Sequence, residues 1–208
     1  MPRISPEREE ATRNAILKAA RDVFVAKGFH AASIDDVVAA SGSSVGAIYG
    51  YFKSKDELIR ACVLAANKAE SDAVMTVARS GGTLVERLDR AVDGWWDYTI
   101  AAPGVPTFLA EVWAAASRQP LIREMVARRR ERIVTVASIL LQEAVMDGEL
   151  PVETNVNDGA RMIAALLDGL VIEHIESPGA LRRMDARRHA RMVLGLDAEG
   201  SSGKRMVS

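Results

Sequence analysis

The chain has 208 residues, 49% of them hydrophobic and 26% charged, with a formal net charge of −1. These values exclude a disordered chain and a general polycation, and the length admits a small domain fused to a larger one. The single cysteine, Cys62, excludes an intrachain disulfide and a multi-cysteine zinc cluster and agrees with a reducing cytosol.

The opening MPRISPEREEATRN has no apolar stretch of the kind a secretion signal carries, and no apolar run approaches the roughly 18 residues that would cross a membrane. A cytoplasmic protein without membrane attachment is expected. Residues 1–55 hold eight Lys/Arg against six acids, a surplus of +2, which leaves −3 for the remainder. A weakly basic head on an acidic body fits a modular nucleic-acid binder.

The first helix begins at Ser5-Pro6-Glu7, an N-cap followed by proline and first-turn acids, and stops at Lys27-Gly28. Ser33-Ile34-Asp35-Asp36 opens a short second helix through a capping box with aspartate in the reciprocal position, and Ser41-Gly42 breaks it. A third short helix spans about 44–51. Ser54 then caps a long fourth helix with Asp56 and Glu57 at its positive end and Leu58, Cys62, Val63 and Ala66 on its apolar face. Ser80-Gly81-Gly82 reads as a hinge. Beyond it come a helix with Leu84, Leu88, Ala91, Trp95 and Tyr98 on one face and a sixth with Phe108, Leu109, Val112 and Trp113. A long helix follows from Pro120 to Gly148, then one from Asn157 or Asp158 to Ser177, a short one near 184–195 and a polar tail.

Two short helices around Ser41-Gly42-Ser43 have the outline of a helix-turn-helix. Ile34, Val37, Val38, Ile48 and Phe52 can pack the pair onto Ile16, Ala20 and Phe24 of the first helix, leaving the outer face for DNA. From spacing alone, Tyr49, Tyr51 and Phe52 read equally well as core aromatics.

The run Gly46-Ala47-Ile48-Tyr49-Gly50-Tyr51-Phe52-Lys53-Ser54-Lys55-Asp56-Glu57-Leu58 resembles the helix-turn-helix signature of the TetR family of bacterial transcriptional regulators. The resemblance is strong over about residues 8–60. It implies an all-α fold: an N-terminal three-helix helix-turn-helix domain (1–55), joined by a long fourth helix to a C-terminal ligand-sensing and dimerisation bundle (56–197), with a flexible tail (198–208). It implies that Ser44 caps the recognition helix and that Val45, Gly46 and Ala47 approach base edges. Tyr49, Tyr51, Lys55 and Ser33 would contact phosphate or sugar. Three residues depart from the family pattern. Ser43 stands where valine is usual, Ser41 where alanine is common, and Val45 where a polar residue is frequent. Val45 implies an apolar contact such as a thymine methyl. Gly50 leaves a gap where the family often carries a larger side chain, and an altered DNA contact is expected there.

Repressors of this type act as homodimers on a double-stranded operator. The expected dimer surface is Ile133, Ala137, Leu140, Leu141 and Ala144 on one long helix with Leu166, Gly169, Leu170 and Glu173 on the next. Gly169 costs roughly 1 kcal/mol inside a helix and is expected at a close helix contact. The same stripes also read as intrachain core. A small-molecule effector, apolar or cationic, is expected near Trp95, Trp96, Tyr98, Phe108, Glu111, Trp113, Met125 and Met162, with Asp97 nearby; each aromatic alone also reads as core. The arginines at 128–130, 132, 182–183 and 187–188 read as solvated helix faces. No Ser-His-Asp grouping, phosphate loop or metal spacing is evident, so no enzyme activity, metal or cofactor is expected. The competing reading is a helical ligand-binding or protein-interaction module without sequence-specific DNA binding.

Overall fold

The computed structural model of the chain describes residues 5–78 and 81–196, and of residues 67–78 the backbone alone. Ser80 of the expected hinge and the expected tail 198–208 lie outside the described residues. All regular structure among the described residues is helical: α1 (Pro6–Ala31), α2 (Ile34–Ser41), α3 (Val45–Tyr51), α4 (Lys55–Ala78), α5 (Leu84–Thr99), α6 (Val105–Ala116), α7 (Pro120–Met146), α8 (Val156–Glu176) and α9 (Arg183–Val193).

Local capping chemistry sets most of the boundaries. The backbone N–H groups of Asp36, Ala47 and Glu57 donate to the hydroxyls of Ser33, Ser44 and Ser54, each at 3.1 Å, so each serine satisfies an orphan donor of the following helix. The α2 capping box is complete, because Ser33 N–H donates back to the Asp36 carboxylate at 2.9 Å. A second box at α5, which sequence reading missed, joins Thr83 and Glu86 in the same way. The first helix runs one turn beyond its expected stop. Gly28, at φ +75°, kinks α1 rather than ending it, and a last turn reaches Ala31.

The chain forms two compact units. One comprises residues 1–68 and 107–126, the other 69–106 and 127–208. The first therefore takes in most of α6 and extends past residue 55 along α4.

In the first unit, Ile16, Ala20 and Phe24 of α1 are buried with Val37, Ile48, Phe52, Leu58 and Cys62. Phe29 stacks edge-on to Phe24 at 5.2 Å and to Phe108 at 5.7 Å, giving the core an aromatic spine. Burial pushes the Cys62 thiol up to about 12, so it acts here as a small apolar side chain.

In the second unit, Leu84, Leu88, Val92, Trp95 and Thr99 form the buried face of α5. Val134, Ala137, Leu140, Leu141 and Ala144 of α7 are buried, as are Ile163, Leu167, Leu170 and Val171 of α8. Close helix approach occurs at Gly159, where an added Cβ would lie 3.1 Å from a Leu141 methyl. Gly169, expected at such a contact, has no described residue near an added Cβ. α9 contributes only Ala186 and Ala190 as fully buried residues and is fixed largely by charge. Arg183, Arg187 and Arg191, one turn apart, pair with Asp97, Asp93 and Asp89 of α5. Arg129, expected in a solvated face, is instead buried and donates to Asp168 at 2.9 Å.

Candidate DNA interface and effector site

The turn between α2 and α3 is made by Gly42 in the left-handed conformation at φ +67°, its N–H donating to the Val38 carbonyl at 3.0 Å. Only glycine adopts this backbone without strain, and the turn sets the angle at which α3 leaves α2. Ser43 N–H donates to the Ser41 hydroxyl at 3.2 Å, so the two serines that depart from the family pattern support the turn. Ile48 is wholly buried and anchors α3 from beneath. Val45 is 43% exposed, and Tyr49, one turn later, 47%. Gly46 and Gly50 lie beside them, and an added Cβ on either would meet nothing. Ala47 is half-buried.

Six of the expected DNA contacts divide into two groups. Val45, Gly46, Tyr49 and Gly50 form one outward face, and the Tyr49 hydroxyl engages no described residue. Tyr51 and Lys55 are engaged inside the protein. The half-buried Tyr51 donates its hydroxyl to the Glu9 carbonyl at 3.3 Å, tying α3 to the start of α1. Lys55 Nζ donates to the carbonyls of His30 and Ala32 at 3.1 and 2.6 Å, closing the C-terminal end of α1. Sequence reading also missed the ion pair of Lys27 with Asp36 at 2.6 Å, which ties α1 to α2. The Lys27 ammonium, together with the Ser33 N–H and hydroxyl, holds the Asp36 carboxyl down to about 2.

The expected effector residues fall in both units. Trp95, Trp96, Tyr98 and Met162 belong to the second, and Phe108, Glu111, Trp113 and Met125 to the first. Phe108 and Met125 are buried in the first unit's core. The Glu111 carboxylate accepts the Phe29 N–H at 3.0 Å, capping the backbone donor that the Gly28 kink leaves free. Glu111 is thus a structural acceptor, and Asp97 is paired with Arg183. Trp95 is 1% exposed, and its indole Nε1–H is buried without a hydrogen-bond partner among the described residues. Met162 is 51% exposed on α8 and lines no interior.

The dimer expectation requires a similar correction. Ala137, Leu140, Leu141, Ala144 and Leu170 are buried within the chain itself and are not available to a partner. Ile133 and Leu166 are half-buried, and Gly169 and Glu173 are exposed. The outward row of α8 is Met162, Ala165, Gly169 and Ile172, the last 47% exposed.

Comparison with known proteins agrees with this geometry. The model for bacterial regulatory proteins of the tetR family matches residues 16–62. The model for the C-terminal domain of BetI-type transcriptional repressors matches residues 84–195. The chain belongs to the TetR family of transcriptional regulators.

This TetR-family chain is 26% identical over 186 residues to the HTH-type transcriptional regulator UidR of Escherichia coli K12, covering 89% of this chain and 92% of that one. It is 30% identical over 161 residues to the regulator BetI of Klebsiella pneumoniae, covering 76% and 79%. Its fold matches a transcriptional regulator from Saccharomonospora viridis, solved in complex with choline, at a TM-score of 0.76 and 20% identity over 89% and 96% of the two chains. The protein is a DNA-binding transcriptional regulator of the helix-turn-helix type. No described helix is long and apolar enough to cross a membrane, and among the described residues no three His, Cys, Asp or Glu gather to hold a metal ion.

Proposed function

We propose that the protein is a homodimeric repressor that binds a palindromic operator through α3 and leaves it when a small organic effector binds. The observation that carries the DNA reading is the outward face of α3. Val45 and Tyr49 stand exposed on a seven-residue helix that Ile48 anchors and Ser44 caps. Tyr49 is the phosphate contact, its free hydroxyl suited to a backbone oxygen. Ser44 keeps a hydroxyl hydrogen for phosphate while its oxygen caps α3. Tyr51 and Lys55 act by fixing α3 and α1 in place.

Two half-sites about one helical turn of DNA apart need two reading heads, and the α8 row of Met162, Ala165, Gly169 and Ile172 fits a second copy. Gly169 costs helix stability and an added Cβ there meets no described residue, as expected where two helices cross at an interface. The effector reading rests on Trp95, whose buried N–H would donate to a ligand oxygen. With Glu111 and Asp97 both engaged, an apolar body carrying a hydrogen-bond acceptor fits this side chain better than a cation.

The test is a competition gel shift with duplex selected from a random pool. Binding should be sequence-specific and fall steeply with salt. Tyr49→Ala should abolish it while the dimer persists in sedimentation, and Ile172→Asp should give monomers. Specific binding by Tyr49→Ala at parental affinity would refute the site. A dimer unaltered by Ile172→Asp would refute the interface.

A further inference from the structure

Base recognition in the major groove ordinarily uses Arg, Lys, Asn, Gln, Asp or Glu, whose paired donors or acceptors match base edges. From Val37 to Phe52, sixteen residues that include all of α3, the chain carries none of these. Of the five hydroxyls in this span, those of Ser41 and Ser44 accept backbone N–H groups, that of Tyr51 donates to Glu9, and that of Tyr49 is assigned above to phosphate. The outward face of α3 therefore consists of two parallel rows at a spacing of four. One holds Val45 and Tyr49, and the other holds Gly46 and Gly50.

Neither glycine is required by the described residues around it. Both lie in ordinary helical backbone, since the positive-φ glycines are others, and a Cβ on either would enter open space. Glycine in a helix interior weakens the helix, and α3 has only seven residues to hold it. A bare row is useful only where something approaches the backbone itself. Val45 is half-exposed although it is the most apolar side chain of that face.

We infer that this regulator selects its operator through thymine methyl groups packed on Val45, with the Gly46–Gly50 row seating α3 deep in the major groove, and not through hydrogen bonds from α3 to base edges. The inference rests on α3 being the reading helix. It identifies the chemistry of the readout: an A·T step at each half-site facing Val45, recognised through the thymine C5-methyl. Gly50 is the second determinant, because any side chain there lifts the helix away from the base edges.

The experiment uses the full-length protein and a duplex it selects from a random pool, with each thymidine replaced in turn by 2′-deoxyuridine, which lacks only the methyl. Replacement at one position per half-site should weaken binding about fourfold for each methyl lost, the effect of one buried methyl. Val45→Ala should bind the thymidine and deoxyuridine duplexes equally. Gly50→Ala should raise the melting temperature yet bind the operator at least tenfold more weakly, which separates a DNA effect from a folding defect. The inference is overturned if no deoxyuridine replacement alters affinity, if Val45→Ala keeps the methyl discrimination, or if Gly50→Ala binds as the parent does. If instead α3 is not the reading helix, Val45→Ala, Gly50→Ala and Tyr49→Ala will all keep parental affinity, an outcome distinct from loss of methyl discrimination alone.

Discussion

Lys55 Nζ donates to the Ala32 carbonyl oxygen at 2.6 Å and to that of His30 at 3.1 Å, so the first residue of α4 closes the end of α1. The carbonyls of a helix C-terminus carry partial negative charge, and an ammonium group there satisfies them and complements the helix dipole. Lys55 therefore fixes the angle between two helices of the reading head.

Replacing Lys55 with methionine keeps the apolar stem and removes the donors. The variant should lose about 1–2 kcal/mol of stability in urea unfolding, since hydrogen bonds from a charged group are among the stronger ones. Its operator affinity should fall while the slope of log affinity against log salt stays unchanged. A slope shallower by about one would instead make Lys55 a phosphate contact.

Asp36 gives a pH test. Its carboxyl is held down to about 2 from an ordinary 3.8, first by the hydrogen bond from Lys27 and then by Ser33. A carboxyl depressed in the folded state stabilises the fold fully above its unfolded value. That contribution is lost as pH falls from about 3.8 towards 2. The urea midpoint of Asp36→Asn should lie below the parent's at pH 5, and the gap should close as pH falls through this window. A constant gap from pH 5 to 2.5 would show that the pair adds nothing through ionisation.

Glu111 can be tested against the effector expectation directly. Glu111→Ala strands the Phe29 N–H in a partly buried position and should cost about 1–3 kcal/mol. Glu111→Gln keeps a carbonyl acceptor there and should cost less. Gly28→Ala should destabilise as well, because φ is +75° and the new Cβ would stand 3.1 Å from the Glu111 carboxylate. Effector-driven release from DNA should survive in Glu111→Gln, a result that a ligand-contacting carboxylate would not give.

The parts of this molecule legible in sequence are those set within a turn of chain. Ser33, Ser44 and Ser54 cap the helices they precede because the partner is three residues on, and Gly42 makes its turn alone. The reading head followed from one continuous motif. What could not be read was the rotation of α7 and α8. Both are apolar on more than one side, so periodicity offered several stripes, and only packing put Leu141 and Leu170 inside and Met162 and Ile172 outside. The same ambiguity placed the close helix contact at Gly169, whereas it lies at Gly159. Long-range polar partners were equally hidden: nothing near Glu111 points to Phe29, 82 residues away. The spacing of Asp89, Asp93 and Asp97 and of Arg183, Arg187 and Arg191 was visible, but either row alone reads as a solvated face.

Those two rows supply the last prediction. Arg187 Nε donates to Asp93 at 2.7 Å and Arg191 Nε to Asp89 at 2.9 Å, and Arg183 Nη1 reaches Asp97 at 3.3 Å. Each rail carries one sign at a spacing of four, so each repels itself along its own helix, and the opposing rail relieves the repulsion. Because α9 buries little more than Ala186 and Ala190, its docking depends on this cancellation. Arg187→Asp sets like charges across the middle rung and should destabilise the protein by about 1–2 kcal/mol, less at high salt. Adding Asp93→Arg restores the rung with reversed sign. It also makes charges alternate along both helices, with Asp at 187 between two arginines and Arg at 93 between two aspartates. The double exchange should therefore be at least as stable as the parent in low-salt urea unfolding. If it stays as unstable as Arg187→Asp alone, the rungs do not act as pairs and α9 is held by its alanine face.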